Sequence, residues 1–242
     1  GVAAVQRRLF AGSNLGVIMV NRQAMNKTEI ISNDYNRVLG MDFNLSSIDH
    51  KYIGQIFYHK AFTADKLNDN KAHASYLNYQ TPSLRLMWNH EYAGKNYITE
   101  TGFVPRLYNY DQSRDTTIRM SFWRVEPSMA YYFYPKGKKI FKHGASLYLD
   151  YYSDSSFNLT DRLVRASYDM EFLNKSSIEL HTYNQATRLI FPIDISGKGG
   201  EPLPADIYKY SSAEVEYKSN ARKLLYVGTS IKAGEFYNGH IL

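Results

Sequence analysis

The sequence predicts an all-β protein, an antiparallel transmembrane β-barrel, from three observations. Tyrosine, which favours strands and membrane interfaces, occurs 22 times in 242 residues. Apolar and polar side chains alternate with a period of two residues over many segments, as they do along a strand whose two faces differ. The connections between these segments alternate between short and long, which is the layout of outer-membrane barrels.

The alternation is clearest in residues 39–46 and 164–172. In the first segment, leucine, methionine and phenylalanine side chains occupy one face, and glycine, aspartate, asparagine and serine occupy the other. Residues 145–152, 213–218 and 225–233 repeat the pattern. A helix would mix the two sets on every turn, so these segments indicate strands.

Applied to the whole chain, the pattern indicates about twelve strands, each with turn residues or a loop at its end. They are residues 2–10, 14–24, 34–47, 51–62, 72–80, 83–93, 115–134, 141–153, 161–173, 176–187, 208–218 and 223–236.

The predicted connections fall into two classes that alternate along the chain. The short ones are residues 11–13, 48–50, 81–82, 135–140, 174–175 and 219–222. The long ones are residues 25–33, 63–71, 94–114, 154–160 and 188–207. In outer-membrane barrels the short turns are periplasmic and the long loops are extracellular.

A water-soluble β-sandwich or lipocalin-like barrel also alternates apolar and polar residues, with its apolar face inward. Two features favour the membrane barrel over it. Most predicted strands run to about 10–14 residues, where 5 or 6 is usual. The polar face also carries charges that suit a wet lumen, and they are Asp42, Arg165, Asp169, Glu171, Glu214 and Glu216.

Composition excludes several other classes of protein. There is no cysteine, so disulfides and thiolate metal sites are excluded. The net charge is +6, but the longest basic run is residues 136–139, so we expect no nucleic-acid partner. No segment has the roughly 20 apolar residues of a membrane helix. Residues 1–10 lack the order of a secretory signal, and we expect the chain to be mature or a fragment.

Motifs for catalysis and cofactors are missing. The seven histidines lack zinc spacing, residues 196–200 lack the phosphate-loop spacing, and no GxSxG elbow occurs. Two carboxylate pairs, Asp169 with Glu171 and Glu214 with Glu216, lie about 7 Å apart along a strand. That spacing could suit two-carboxylate sugar chemistry, but an interior charge ladder is the better interpretation. We predict no catalytic residue, no metal and no cofactor.

The segment most suggestive of function is residues 97–110, in a long loop or at the end of a strand. Phe103 could pack a folded loop, Pro105 fixes the backbone, and Arg106 could form a bidentate pair with Glu100 or another lumen carboxylate. The hypothesis is that this segment folds into the barrel mouth and constricts it.

Three stretches carry a family resemblance: residues 36–44 (NRVLGMDFN), 101–106 (TGFVPR) and 233–239 (AGEFYNG). They resemble the C-terminal outer-membrane barrel domain of unknown function found in Bacteroidota. The resemblance covers residues 14–239, and GFVPR is its specific part. Members often carry a preceding domain resembling carbohydrate-binding module family 9, which nothing in this chain matches. The resemblance implies a location and no assigned activity.

These observations predict a single barrel domain over residues 1–242 in a bacterial outer membrane. Both ends look cut, which leaves room for 14 to 16 strands in a longer protein. The expected function is an anchor or a subunit of an envelope assembly, in contact with outer-membrane lipid, lipopolysaccharide and other envelope proteins. The alternatives are a porin-like channel or transporter, and a barrel attached to a carbohydrate-binding or hydrolase module.

Overall fold

The computed structural model describes residues 1–10, 12–65, 67–100, 102, 104–195 and 197–242. Strands account for 66% of the chain, and the one helical element within those ranges is a 3-10 turn, Pro105–Leu107. None of the described segments forms a helix that is long and apolar enough to cross a membrane. The all-β prediction is confirmed.

Sixteen strands follow one another along the described part of the chain. They are β1 (Val2–Leu9), β2 (Ser13–Asn26), β3 (Glu29–Ser46), β4 (Tyr52–Thr63), β5 (Lys71–Gln80), β6 (Leu84–Ala93), β7 (Tyr108–Asp111), β8 (Thr116–Arg119), β9 (Phe122–Val125), β10 (Ser128–Phe133), β11 (Ile140–Ser153), β12 (Leu159–Phe172), β13 (Ser177–Arg188), β14 (Ile207–Lys218), β15 (Gly228–Phe236) and β16 (Gly239–Ile241).

Fourteen of these strands form one antiparallel sheet whose strand order follows the sequence. β9 and β10 together occupy one position, between β6 and β11. β7 and β8 pair only with each other. The sheet order begins at β1 and ends at β16, and within the described residues no pairing joins these ends. Closure into a barrel therefore stays a prediction.

Three predicted boundaries are wrong. The strand predicted at residues 115–134 is broken, because Pro127 has no N–H to donate to the ladder and because β8 belongs to the separate hairpin. The strand predicted at 223–236 begins at Gly228. The loop predicted at 25–33 is strand instead: β2 and β3 extend past a bulge between Gln23 and Met25 to a tight turn.

The connections define two rims of the sheet. The short-turn rim carries residues 47–51, 81–83, 134–139, 173–176 and 219–227, which follow β3, β5, β10, β12 and β14. The long-loop rim carries residues 64–70, 94–121, 154–158 and 189–206, together with the tight β2–β3 turn. Except at the β2–β3 turn, the long loops lie where the sequence predicts them.

The pairing register assigns each side chain to a face, because directly opposed residues on paired strands share a face. We call the face of Val38, Ala61, Ala72 and Ala93 the inner face, since residues from the 94–121 connection pack on it. The opposite, outer face is apolar and open to its surroundings. Its members between 45% and 65% exposed include Leu39, Met41, Ile56, Leu147, Leu180, Val215 and Ile231.

Aromatic side chains form two bands on the outer face. Near the long-loop rim, Tyr92 lies 5.1 Å from His73 and 4.5 Å from Trp123, measured between ring centroids. Near the short-turn rim, the ring centroids of Tyr52 and Tyr79 are 4.8 Å apart, and a second group there comprises Tyr131, Phe133, His143 and Tyr168. The exposed aliphatic side chains lie between these bands.

Gly144 sets the approach of β10 to β11. A Cβ at this position would lie 2.1 Å from the backbone oxygen of Tyr131 and 2.7 Å from the Tyr132 ring, so Gly144→Ala forces the two strands apart. We expect a loss of about 1–3 kcal/mol in the free energy of unfolding, measured by urea titration of the refolded chain. Gly137→Ala is the control, since nothing lies within 4 Å of its Cβ. Equal urea midpoints for the two variants would contradict this account.

Candidate functional site

The connection between β6 and β9, residues 94–121, folds onto the inner face, and we call it the interior segment. Its Tyr97 and Leu107 are 7% and 1% exposed and join a cluster with apolar side chains from five strands. Those side chains are Val38, Ala61, Ala72, Ala93 and Phe122. The alanines leave the space that the segment fills, so burial of these apolar groups stabilises its inward position.

Asp69 fixes the start of the interior segment. Its carboxylate accepts hydrogen bonds from the backbone N–H of Lys95 at 3.0 Å, from Ser121 Oγ at 2.8 Å and from the Tyr92 hydroxyl. Its backbone oxygen accepts from the N–H of Asn96 at 3.0 Å. One side chain therefore joins both ends of the segment to the β4–β5 connection.

The middle of the interior segment is held by polar contacts with its own hairpin and with the sheet. Asn36 Nδ2 donates to the oxygen of Ile98 at 2.8 Å, and the Tyr97 hydroxyl lies 3.3 Å from His59 Nδ1. Arg119 donates to the backbone oxygens of Lys95, at 2.7 Å, and Tyr97, at 2.9 Å. Burial raises the pKa of the Tyr97 hydroxyl, so it stays protonated at neutral pH.

The β7–β8 hairpin is the tip of the interior segment, and Asp111 organises its turn. The buried carboxylate accepts from Ser113 Oγ at 2.6 Å and from the Ser113 N–H at 3.0 Å. These hydrogen bonds, with Ser113 the largest contributor and the nearby Arg114 cation a smaller one, hold the pKa of Asp111 below its usual value. The ionised carboxylate therefore stabilises the hairpin.

Two ion pairs tie the interior segment to opposite parts of the sheet. Glu100 Oε2 lies 2.5 Å from Arg22 Nε on β2. Arg106 pairs with Asp161 on β12, and its guanidinium lies 4.1 Å from the ring centroid of Tyr152 on β11. Both pairs are partly exposed, so each contributes only about 0–1 kcal/mol to stability, and they position the segment more than they stabilise it.

These pairs indicate that the sheet curves around the interior segment. β2 and β12 lie seven strand positions apart, which is about 34 Å in a flat sheet. Glu100 and Arg106 are six residues apart in the chain, a span of at most about 21 Å. Contact of one short segment with both strands fits a curved sheet with the segment on its concave side.

The sequence singles out four residues of this segment. The structure brings Glu100 and Arg106 onto the inner face, but it pairs them with Arg22 and Asp161 and not with each other. Phe103 lies outside the described residues, and Pro105 begins the 3-10 turn. The partners Arg22 and Asp161 are missed by sequence reasoning, since only the fold brings residues so distant in sequence together.

A cavity of about 430 Å³ lies between the interior segment and the β12–β13 side of the sheet. Its wall includes Arg106 and Asp161, a second cation and carboxylate, Arg188 and Asp154, whose closest atoms are 3.5 Å apart, and the apolar side chain of Phe122. The cavity therefore offers hydrogen-bond donors and acceptors in balance and carries no excess of either charge.

A second polar network lies deeper on the inner face, at the centre of the sheet. Arg124 forms a bidentate pair with Asp150, at 2.8 and 3.0 Å, and lies 3.0 Å from Glu126. Glu126 also accepts from Asn89 Nδ2 at 2.8 Å and from the Tyr148 hydroxyl at 2.6 Å. No motif marks these residues in the sequence, because the network depends on the register of three strands, β6, β9 and β11, and on the link after β9.

The six charges predicted to form a ladder all lie on the inner face, in several separate groups. Asp42 accepts from Asn44 Nδ2 at 2.8 Å, and the Arg165 guanidinium lies 5.0 Å from the Tyr148 ring centroid. Three others also have partners: Glu171 pairs with Lys175 in the next turn at 3.1 Å, Glu214 accepts from Tyr183 on β13 at 2.9 Å, and Glu216 pairs with Lys218 on its own strand at 3.0 Å.

Asp169, the remaining predicted residue, faces Glu179 and His181 on β13. One ligand atom from each of the three lies within 4.8 Å of the others, and Ser167 Oγ contacts His181 Nδ1 at 2.8 Å. Glu179 is also 3.5 Å from Lys218 Nζ, which pairs with Glu216 as well. We therefore assign this group to the inner-face ion pairs. Sequence spacing gave no sign of it, because β12 and β13 supply its members together.

Neither the protein-family models nor the curated proteins nor the solved structures compared with this chain gave a match. The resemblance to the Bacteroidota barrel domain therefore stays a prediction.

Acidification should loosen the β7–β8 hairpin. The pKa of Asp111 is lower in the folded chain than the value of about 3.9 in an unfolded one. The ionised carboxylate therefore contributes its full stabilisation above about pH 3.9, and this contribution is lost as the pH falls through the pKa of the folded chain. We expect hydrogen exchange of the hairpin amides, corrected for intrinsic rates, to accelerate below about pH 4. Asp111→Asn should exchange faster at neutral pH and lose this dependence. If Asp111→Asn shows the same pH dependence of hydrogen exchange as the wild type, Asp111 does not have this role.

Proposed function

We propose that this chain is the barrel, or most of the barrel, of an outer-membrane protein that acts as an anchor or subunit of an envelope assembly, with its interior occluded by residues 94–121. The observation that carries the proposal is the sidedness of the sheet. Exposed aliphatic side chains cover the outer face, and the charged networks and the interior segment occupy the inner face.

The outer face is difficult to explain in water. A contiguous apolar surface of this extent, spanning strands from β2 to β15, is far larger than the patches that soluble proteins leave exposed. A soluble barrel or sandwich would direct these side chains into its core. The two aromatic bands that border the aliphatic zone match the girdles at the two interfaces of membrane barrels.

The occluded interior favours an anchor or assembly subunit over an open pore. The interior segment is held by the buried cluster around Tyr97 and Leu107, by the contacts of Asp69 and by ion pairs at two sides of the sheet. A barrel of this size without such a segment would leave an aqueous channel. The long-loop rim, where the segment enters, is the extracellular rim in this proposal.

A gated channel is the second candidate, and a specific observation favours it. The contacts of Glu100 and Arg106 with the sheet are partly exposed ion pairs, which water replaces at little cost. Beyond the segment, the inner face of β12 to β15 carries Asp169, Glu214, Glu216 and Lys232 and would line a wet lumen. The third candidate, a barrel attached to a carbohydrate-binding or hydrolase module, rests on the family resemblance alone.

The proposed membrane barrel predicts heat modifiability. The chain refolded in detergent should migrate differently on SDS gels before and after boiling and should give a β-rich circular dichroism spectrum, because the outer face is covered by detergent in the folded form. It should also float with lipid vesicles. Good solubility of the folded chain in plain buffer, without a gel shift, would replace this proposal with a soluble β-protein.

Conductance separates the two leading functions. In planar bilayers we expect little conductance from the wild type and from the double variant Glu100→Gln/Arg106→Gln, because the buried cluster still holds the segment. A gated channel would instead conduct more in the variant, whose segment has lost both ion pairs. The free energy of unfolding should change by less than about 2 kcal/mol, since each pair is partly exposed.

The control for that experiment is Lys95→Gln/Glu201→Gln, which leaves the net charge unchanged and neutralises two exposed side chains. It should conduct like the wild type. If the double variant stays silent, the channel function is excluded and the segment is a permanent part of the barrel. If the wild type itself conducts freely, its interior is not occluded, and the proposed role of the interior segment is wrong.

A further inference from the structure

Between β3 and β14, the charges of the outer face are of one sign and lie at one rim. From Tyr35 on β3 to the end of β14, the described outer-face positions of the large sheet contain no aspartate or glutamate. Their cationic residues all lie on the halves of the strands nearer the long-loop rim, and they are Arg37, Lys60, Lys71, Arg162 and Lys209. Arg188, at the end of β13, lies at the same rim but pairs with Asp154 in the cavity wall.

Three of these cations are neighbours on β3, β4 and β5. Lys60 pairs directly with Lys71 across the strands, and Arg37, which pairs with Phe62, is the diagonal neighbour of Lys60. All three are exposed. We call them the basic triad. Like charges placed directly opposite each other on a sheet repel, at a cost on the order of 0.2–1 kcal/mol.

Nothing on the described part of the chain neutralises this triad. Lys60 and Lys71 make no ion pair there; their ammonium groups lie 5.6 Å from the Phe62 ring centroid and 5.9 Å from that of Tyr92. Arg37 donates only to the neutral amides of Asn21, at 3.0 Å, and Gln23, at 3.4 Å. On the inner face, by contrast, Arg124 lies within 3.0 Å of two carboxylates.

The surface below the triad is apolar. Leu39, which pairs with Lys60, is 49% exposed, and Met41 and Ile56 further along the same strands are 55% and 58% exposed. The rings of Tyr58, His73 and Tyr92 lie between these aliphatic groups and the lysines. A cationic row, an aromatic band and an aliphatic zone therefore follow one another from the long-loop rim downward.

We infer that Arg37, Lys60 and Lys71 bind the phosphate groups of a phosphorylated glycolipid, of the lipid A type, whose acyl chains lie on the aliphatic zone beneath them. The phosphates of such a ligand would pair with the cations, and its acyl chains would cover the aliphatic side chains. The ligand carries these two parts in the same order as the surface carries the matching groups. The inference rests on the proposed membrane barrel, because it requires the outer face to contact lipid.

The order of these zones favours a lipid over an acidic protein or nucleic acid. Either polymer would satisfy the cations but would leave the aliphatic side chains immediately below them in water. Between β3 and β14, the described outer-face positions near the short-turn rim hold no cation, as expected if only one leaflet contains the phosphorylated lipid; Arg7, on the edge strand β1, lies outside this surface. Ammonium and guanidinium groups at a membrane surface attract anionic lipid with about 1 kcal/mol each.

The test compares two refolded variants with the wild type. Arg37→Gln/Lys60→Gln/Lys71→Gln removes the triad. The control Lys136→Gln/Lys138→Gln/Lys139→Gln removes three exposed cations from the turn at the opposite rim. Each chain is titrated in detergent with diphosphoryl lipid A, and separately with the same lipid after removal of its phosphates. Binding is read by native mass spectrometry and by the unfolding temperature.

The expected result is that diphosphoryl lipid A binds the wild type and the control and raises their unfolding temperatures. The triad variant should bind it roughly tenfold or more weakly, and the dephosphorylated lipid should bind all three alike. Two outcomes in chains that show heat modifiability would contradict this inference and leave the barrel proposal intact. In the first, the triad variant binds diphosphoryl lipid A as tightly as the wild type does. In the second, the wild type binds the dephosphorylated lipid as tightly as the phosphorylated one. If none shows heat modifiability, the barrel proposal fails and this inference fails with it.

Discussion

The pairing register of the sheet is the constraint on which the other features of this protein depend. Because successive side chains of a strand point to opposite faces, a slip of one residue would exchange every apolar group for a polar one. The pairing of Asp42 with Phe57, and of Glu91 with Arg124, keeps the charges on the inner face, while Leu39 and Met41 stay outside. The apolar exterior and the charged interior are thus two consequences of one set of hydrogen bonds.

The interior segment shows how such a sheet can hold a loop against its polar side. Most inner-face positions are large or charged, but next to the segment the strands present Ala61, Ala72 and Ala93. These small side chains make room for Tyr97 and Leu107, so the loop gains an apolar contact on a face that is otherwise wet. Its ion pairs lie at the edges of that contact and determine its position, whereas burial of apolar groups provides the stability.

The two faces also divide the charges by role. Inner-face cations meet carboxylates on neighbouring strands, as Arg124 meets Asp150 and Lys218 meets Glu179. The outer-face cations Lys60 and Lys71 meet none on the described chain and lie beside aromatic rings. The unpaired outer-face cations therefore connect the two proposals. If the protein lies in an outer membrane, these cations lie where phosphorylated lipid is available to pair with them.

The sequence alone determined the strands and the division of residues between two faces, because a period of two residues depends only on local backbone geometry. It placed Asp42, Arg165 and Glu214 on the inner face and pointed to the segment around Arg106. It missed the break at Pro127 and assigned β8 to one long strand, since broken strands alternate as one long strand does, and it placed β7 in the loop before them. Only the tertiary structure decided that Arg106 meets Asp161 and that Lys60 opposes Lys71, because register and loop docking join residues whose distance in sequence carries no signal.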